Sequence, residues 1–340
     1  MNDRTPPGQT WPPVDPSHDR RHLLPAEPLA RESLVFMLQL PEHDVACFVY
    51  TWVSGLGKAG SAFVVYGPAI GAPLVEIHDG IDVPASAGFD DWRVGEVHVR
   101  HGRPFETAEV RAAAAGRAAL DYRFEAVHPA YAYGSHPDGC PGWVADNRIE
   151  QSGKVSGTLT LDGKSIPFET MGHRDHSWGT RNWLFSQHWK WLEAQAGPDR
   201  AVHFWQLHAL GRTMLRGYVL RDGETCEVDA VDFRFEHDAQ LVPTRIHVVV
   251  QDKLGRETVV TGDTFATYPF AVSPGVMMHE NSMRIAIDGV PGVGHVETFW
   301  PAAYLDHVTQ SDLSAGSPIT RGLPDAEGLH ERTHDERTQP

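Results

Sequence analysis

Apolar and polar positions in this chain alternate with a period near two far more often than with the period of a helix. Short runs rich in β-branched and aromatic residues occupy 33–40, 45–53, 61–66, 74–77, 155–161, 188–195, 202–210, 215–220, 231–236, 244–251, 257–261 and 283–287. Gly, Pro and Asp separate them, which is the punctuation expected between strands. Asp162-Gly163, Asp222-Gly223 and Asp288-Gly289 each stand between such runs, as does Leu254-Gly255. Asp-Gly supplies the two left-handed residues that a tight hairpin needs. Residues 107–120 are rich in alanine, a helix former, yet the segment beyond them alternates cleanly. That stretch reads as helix or as small-residue strand. Many short strands over 340 residues predict an all-β chain of sandwiches or barrels.

A longer pattern organises these runs. Gly172-His173-Arg174-Asp175-His176-Ser177-Trp178 returns 122 residues later as Gly294-His295-Val296-Glu297-Thr298-Phe299-Trp300. Both copies read Gly-His-x-acid-x-x-Trp. Leu159-Thr160-Leu161-Asp162-Gly163 leads into the first, and Ile285-Ala286-Ile287-Asp288-Gly289 into the second. Further upstream, Glu150-Gln151 matches Glu280-Asn281. The period is too long for a solenoid and predicts two similar halves of ordinary domain size. We expect a Pro-rich disordered tail over 1–28, one half over 29–182, a second over 183–308 and a disordered tail over 309–340. Both tails have compositions that bury little. The first copy holds Asp175, His176 and Ser177 where the second has Glu297, Thr298 and Phe299. The first half is therefore expected to carry chemistry and the second structure.

Composition narrows the function classes. A hydrophobic content of 41% with 22% charged residues describes a soluble globular protein. A formal net charge of −16 argues against nucleic acid and against anionic membrane surfaces as partners. Cys47, Cys140 and Cys226 are far apart and form no CxxC pair. They indicate neither a zinc ribbon nor a disulfide scaffold, and fit a reducing cytoplasm. No signal-peptide core and no membrane-spanning apolar run is visible, so a cytoplasmic protein without membrane insertion is expected.

The strands after the first motif hold an unusual inventory. One face of 189–195 shows Trp189, Trp191, Glu193 and Gln195, and one face of 202–210 shows His203, Trp205 and Leu207. Trp178, Trp183, Trp189, Trp191 and Trp205, half of the ten tryptophans, fall within 28 residues. Rings sharing a face with polar groups would be costly in a plain core. We expect Trp178, Trp189, Trp191, Trp205 and Glu193 to line one cavity of about 300–1,000 Å³, the usual size of a small-molecule pocket. Ordinary core packing is the plain alternative.

Asn147-Arg148-Ile149-Glu150-Gln151 followed by Gly172-His173-Arg174-Asp175-His176-Ser177-Trp178-Gly179-Thr180-Arg181-Asn182-Trp183 resembles the signature of a known superfamily. It is the lipocalin-like double-barrel superfamily of carotenoid 1,2-hydratase (hydroxyneurosporene synthase) and AttH-like proteins. Tocopherol cyclase and some fungal pericyclases look like more distant members. The match is most specific at 175–179 and looser over about 30–305. The resemblance implies two tandem lipocalin-like, calycin-type antiparallel β-barrels with little helix, and an apolar substrate held at or between them. It also implies a reactive His-x-Trp pair, which His176 and Trp178 match. The hydratases' downstream Tyr-x-Asp pair is replaced here by His203-Phe204-Trp205. That departure tells against carotenoid hydration itself, and the short aromatic inventory suits a smaller terpenoid, steroid or aromatic ligand.

Two function classes follow. The first is a cofactor-independent hydratase, isomerase or cyclase. Asp175 and His176 would move the proton, and Trp178 would stabilise developing positive charge. Trp189, Trp191, Glu193, His203, Trp205 and Glu297 would bind the substrate. Neighbours on a regular strand point to opposite faces, so this pairing expects a bulge between Gly172 and Gly179. In the plain alternative the two residues close a barrel end, with Asp175 paired to Arg174 or Arg181 and His176 capping a strand. Metal ligation by His173 and His176, or by His203 and His208, lacks the tight spacing of known motifs, so neither metal nor cofactor is expected. The second class is a non-catalytic carrier or sensor of a hydrophobic small molecule.

Overall fold

The computed structural model describes residues 9–310 and the backbone of 329–334. Eleven strands form the first sheet: β1 (Ala30–Leu40), β2 (Val45–Ser54), β3 (Lys58–Tyr66), β4 (Leu74–Asp82), β5 (Trp92–Val94), β6 (Val97–His101), β7 (Thr107–Ala114), β8 (Ala118–Ala126), β9 (Tyr131–Ala132), β10 (Asn147–Leu161) and β11 (Lys164–Thr180). Their order is β4-β3-β2-β1-β11-β10-β8-β7-β6-β5, with β9 on β10, and the sheet curls into a nearly closed barrel. The second sheet holds β12 (Ser186–Gln195), β13 (Arg200–Ala209), β14 (Arg212–Arg221), β15 (Glu224–His237), β16 (Pro243–Asp252), β17 (Glu257–Ser273), β18 (Val276–Ile287) and β19 (Val290–Pro301). Pairing of β14 with β15 closes these eight into a barrel. A short helix, α1 (Ala302–Gln310), follows, and β20 (Leu329–His334) adds to β15. The chain is thus an all-β double barrel.

Local chemistry explains the hairpins. Asp162-Gly163, Asp222-Gly223 and Asp288-Gly289 all take consecutive positive φ values, near 50° for Asp and 80° for Gly. Asp tolerates that region and Gly has no penalty there. Residues 107–120 resolve as the hairpin β7–β8, turned at Ala115-Gly116 with φ of 51° and 64°. Burial alternates along both strands, and Arg111 meets Asp121 at 2.7 Å on the outer face. Sheet packing overrides the helix preference of the alanines.

The internal repeat is visible in the ladder. β1 and β12 each pair with the last strand of their own barrel, β11 and β19, which carry the two motif copies. Glu150 stands opposite Asp175, as Glu280 stands opposite Glu297. Ser152 faces His173, as Ser282 faces His295. The expected bulge is absent: β11 pairs with β1 and β10 without a register shift over the motif. Asp175 and His176 consequently point to opposite faces.

Each barrel has its own apolar interior, built around Phe36, Leu38 and Phe63 in the first and Phe204, Phe233 and Val248 in the second. A third cluster joins the barrels. Met37, Phe48, Tyr50 and Tyr66 come from one side, and Trp189, Trp191, Trp205 and Tyr218 from the other. Strands at this joint are buried on both faces, which is why β2 and β3 read as almost unbroken apolar runs.

The Pro-rich segment departs from expectation at a few positions. Gln9, Trp11 and Asp19 are buried in a stretch that is otherwise mostly exposed: Trp11 donates Nε1–H to the Ala130 carbonyl at 2.9 Å and meets the Tyr131 ring edge-on. Asp19 accepts from Arg174 Nη1 at 3.0 Å and from the Phe105 amide at 2.7 Å. One tryptophan and one aspartate anchor a stretch whose average composition suggests nothing of the kind. Residues 1–8 lie outside the described residues, as does most of the tail expected over 309–340.

The barrels also exchange hydroxyls. Tyr218 of the second meets Ser152 of the first at 2.8 Å, and Tyr66 of the first meets Ser282 of the second at 2.9 Å. Tyr66→Phe and Tyr218→Phe should each cost about 1–3 kcal/mol of folding stability, the price of an orphaned buried polar group. Urea unfolding measures it. Tyr218→Phe should cost more, because its hydroxyl also contacts His128 Nε2 at 3.0 Å. Two values near zero would mean that these bonds do not hold the joint.

Candidate active site

Between the barrels lies a cleft built by strand parity. On β10, Arg148, Glu150 and Ser152 share the face turned to the second barrel; on β11, His173, Asp175 and Ser177 do. The cleft wall combines Asp175, Arg148, Glu280 and Glu297 with Tyr50, Trp189, Trp191 and Trp205. Met37, Phe48, Phe270 and Met278 complete its apolar part. The cleft measures about 770 Å³ with its open mouth included, of which about 80 Å³ admits the centre of a water molecule.

Arg148 organises the charged side. Its Nε donates to Glu150 Oε1 at 2.5 Å, and its Nη2 pairs with Asp175 Oδ2. Its guanidinium lies 5.7–5.9 Å from the ring centres of Tyr133, Trp191 and Trp205. Glu150 also accepts from Trp191 Nε1 at 2.9 Å and from His173 Nε2 at 2.7 Å. Burial pushes the Glu150 carboxyl up, but Arg148, His203 and His173 outweigh it and hold the group well below the usual carboxylate range. Asp175 has fewer donors, receiving Ser177 Oγ–H at 3.3 Å besides Arg148. Burial dominates there and raises its carboxyl to about 7, with Arg148 opposing and Glu150 adding. Two carboxyls thus share one guanidinium, and the one on the cleft wall takes the proton.

The second half repeats the layout without the arginine; Met278 stands where Arg148 does. His295 Nε2 meets Glu280 Oε2 at 2.8 Å, and Trp189 Nε1 donates to Glu297 Oε1 at 2.5 Å. Burial raises both glutamates to about 8, and the negative charge of Glu280 further raises Glu297. The cleft therefore holds three carboxyls that retain protons near neutral pH.

The residues singled out from sequence divide between three places. Asp175, Trp189, Trp191, Trp205 and Glu297 line the cleft. Glu193 and His203 lie beneath it. Gln195 Nε2 donates to Glu193 at 2.5 Å, while His203 Nδ1 donates to the Leu192 carbonyl at 2.9 Å and its Nε2 accepts from Tyr133 at 2.8 Å. Burial pushes Glu193 up to about 8 and His203 down to about 3. His176 and Trp178 are on the far face of β11. There His176 Nε2 donates to Glu32 Oε1 at 2.8 Å, and Trp178 stacks on His22 with centroids 3.8 Å apart. The expectation of one cavity for all the tryptophans and Glu193 is corrected: Trp178 and Glu193 are excluded from it by strand parity and depth. Sequence reasoning missed Arg148 and Glu280 as site residues. The signal was present, since Arg148 and Glu150 alternate on one strand face and the Glu recurs in both copies.

Raised carboxyls set a pH dependence. Glu280 and Glu297 bind their protons more tightly folded than unfolded, so their contribution to stability is full below about pH 4.5, the unfolded value, and is lost as pH rises through about 8. Above about pH 6.5, where buried neutral histidines such as His203 and His295 no longer add stability with rising pH, the total should fall with a slope on the order of 1 kcal/mol per pH unit. Glu297→Gln should flatten the slope. Urea titrations at several pH values check this, and an unchanged slope in the variant would rule these carboxyls out as its source.

Similarity searches agree with this architecture. Among solved structures, a protein assigned as AttH from Nitrosomonas europaea superposes with a TM-score of 0.59 at 16% identity, covering 80% of this chain and 93% of that one. CghA in complex with Sch210972 gives 0.57 at 14% identity, covering 80% and 88%. CghA without it gives 0.56 at 14%, with the same coverage. These likenesses show the shared fold. No curated protein matches the chain. No helix among the described residues is long and apolar enough to cross a membrane. The family described as "Domain of unknown function (DUF7064)" matches residues 15–302, so the chain belongs to that family and carries it on the lipocalin-like double-barrel fold of AttH-like proteins.

Proposed function

We propose that the inter-barrel cleft is the active site of a cofactor-independent isomerase, cyclase or hydro-lyase acting on an apolar small molecule. The observation that carries the reading is Asp175: a carboxyl on an aromatic-lined wall, raised to about 7 by burial. A general acid works best with a pKa near the operating pH. Asp175 protonates the substrate's alkene, carbonyl or epoxide oxygen and recovers the proton from the adjacent carbon or from water. Arg148 keeps Glu150 ionised and lies against the same wall, placed to anchor a substrate oxygen. Trp191 and Trp205 face developing positive charge, an interaction worth on the order of 2 kcal/mol when desolvated. Glu280 and Glu297 supply neutral hydrogen-bond donors opposite. The aromatic wall suits a terpenoid, steroid or aromatic ligand. That CghA, on the same fold, holds Sch210972 supports a small organic ligand here.

The test is a panel of apolar metabolites incubated with the protein, with mass detection of products at equal mass or shifted by one water. Asp175→Asn should lower turnover by about 10²-fold or more while leaving ligand affinity near wild type. His176→Ala, on the far face, should leave turnover near wild type. A wild-type protein that binds ligand and converts none is instead a carrier or sensor. Equal turnover in the Asp175 variant would remove it from the chemistry.

A further inference from the structure

On the far face of β11 a second constellation stands apart from the cleft. His22 Nδ1 lies 2.7 Å and His176 Nε2 lies 2.8 Å from the same oxygen, Oε1 of Glu32. Three elements distant in sequence supply them: the N-terminal segment, β1 and β11. All three ligand atoms fall within 4.8 Å of one another. We propose that His22, Glu32 and His176 form a binding site for a divalent transition metal, zinc or ferrous iron.

Three observations favour this. First, Glu32 is fully buried, and its direct ion-pair partners among the described residues are only the imidazoles of His22 and His176, with Arg21 acting on it at longer range. A buried carboxylate without a cation is costly, and a divalent ion supplies the missing charge. Second, two imidazoles and one carboxylate are the donor set of zinc and non-haem iron centres. Bonds of about 2.0–2.2 Å require ligand atoms roughly 3.3 Å apart, so the trio opens by about half an ångström to admit the ion. Third, the surrounding groups already orient the ligands. The His22 amide donates to Glu32 Oε2 at 2.9 Å, and His22 Nε2 lies 3.0 Å from His18 Nδ1. With Nδ1 on a metal, His22 carries its proton on Nε2 and donates it to His18, as metal-bound histidines do. Trp178 packs both rings, with centroids at 3.8 Å from His22 and 5.1 Å from His18. On His176, metal on Nε2 moves the proton to Nδ1, a nitrogen with no hydrogen-bond partner to lose. The protons shift between ring nitrogens and none needs to leave.

A cavity lined by Asp19, His22, Phe89 and His101 among others reaches one of the three ligands, His22, and gives the ion a route to it. The other His-rich group, Glu150 with His173 and His203, lacks both features. It is fully enclosed, and the Arg148 guanidinium already occupies its carboxylate at 2.5 Å.

The experiment uses untagged full-length protein, so that no added histidines compete. Metal content is read by elemental mass spectrometry. Chelator-treated protein is then titrated with Co²⁺, whose visible ligand-field bands report nitrogen and oxygen coordination. One equivalent should saturate. Glu32→Gln and His22→Ala should weaken Co²⁺ binding by at least about 100-fold, and His18→Ala by about 10-fold through lost orientation. His22 is partly exposed on the N-terminal segment, so its variant should keep the wild-type circular dichroism even if Glu32→Gln does not fold. No copurified metal and no Co²⁺ spectrum in the wild type would overturn the proposal. So would Co²⁺ bands that survive His22→Ala but vanish in His173→Ala, which would place the ion at Glu150.

Discussion

One guanidinium, paired with two carboxyls, dominates the electrostatics of the cleft, and Arg181 on the same wall adds to it. Arg148 is the positive charge against which Glu150 and Asp175 are both placed. Even with Arg181 acting on Asp175 at longer range, the burial of the two anions is not fully compensated. The carboxyl with more hydrogen-bond donors, Glu150, keeps the negative charge, and the one with fewer, Asp175, is pushed towards neutrality. Removing the arginine would leave an uncompensated buried charge, which is among the most destabilising changes a core can suffer. The ion pair is therefore both a structural plug between barrels and the device that tunes the cleft's acid.

Duplication makes that device readable by contrast. Both barrels place a Glu, a Ser, a His and a second acid in the same ladder positions. Both use a tyrosine from the opposite barrel to meet the Ser. Where the first half has Arg148 the second has Met278, and the second half's carboxyls respond by holding their protons. Equivalent ladder positions thus give an ionised Glu150 beside a raised Asp175 in the half that holds Arg148, and two raised glutamates in the half that holds Met278. The cleft lies where these halves meet, so neither barrel alone could make it.

Much of the fold was legible for a physical reason. Hairpins whose two central residues must be left-handed leave Asp-Gly in the sequence, and a motif copied with its upstream hairpin survives as a long-period repeat. Strands buried on both faces at the barrel joint leave unbroken apolar runs. The rest hides where the determining fact is pairwise. Whether Ala108–Ala114 curl into a helix or extend depends on their partners in β8 and not on alanine itself. Nothing in the Pro-rich composition signals Trp11 or Asp19, because two anchors suffice to hold a segment that is otherwise largely polar. The site shows the same limit. Asp175 and the tryptophans stood out by type, whereas Arg148 and Glu280 gain meaning only from the groups across the ladder. Glu32 and His176, 144 residues apart, have no sequence signal of their contact at all.

Strand parity then decides how the motif is understood. Read as a string, Asp175, His176 and Trp178 look like one catalytic group. On a regular strand they cannot be, since each step of one residue crosses the sheet. His173, Asp175 and Ser177 serve the cleft; Arg174, His176 and Trp178 serve the N-terminal segment and Glu32. A bulge would merge the two sets, but the continuous pairing of β11 on both edges leaves no residue to spare for one. The dense motif is thus two interleaved sites printed on one strand. Its length reflects a strand both of whose faces are committed: one to charge placement between the barrels, the other to an imidazole–carboxylate cluster that ties the chain's beginning to the end of its first half.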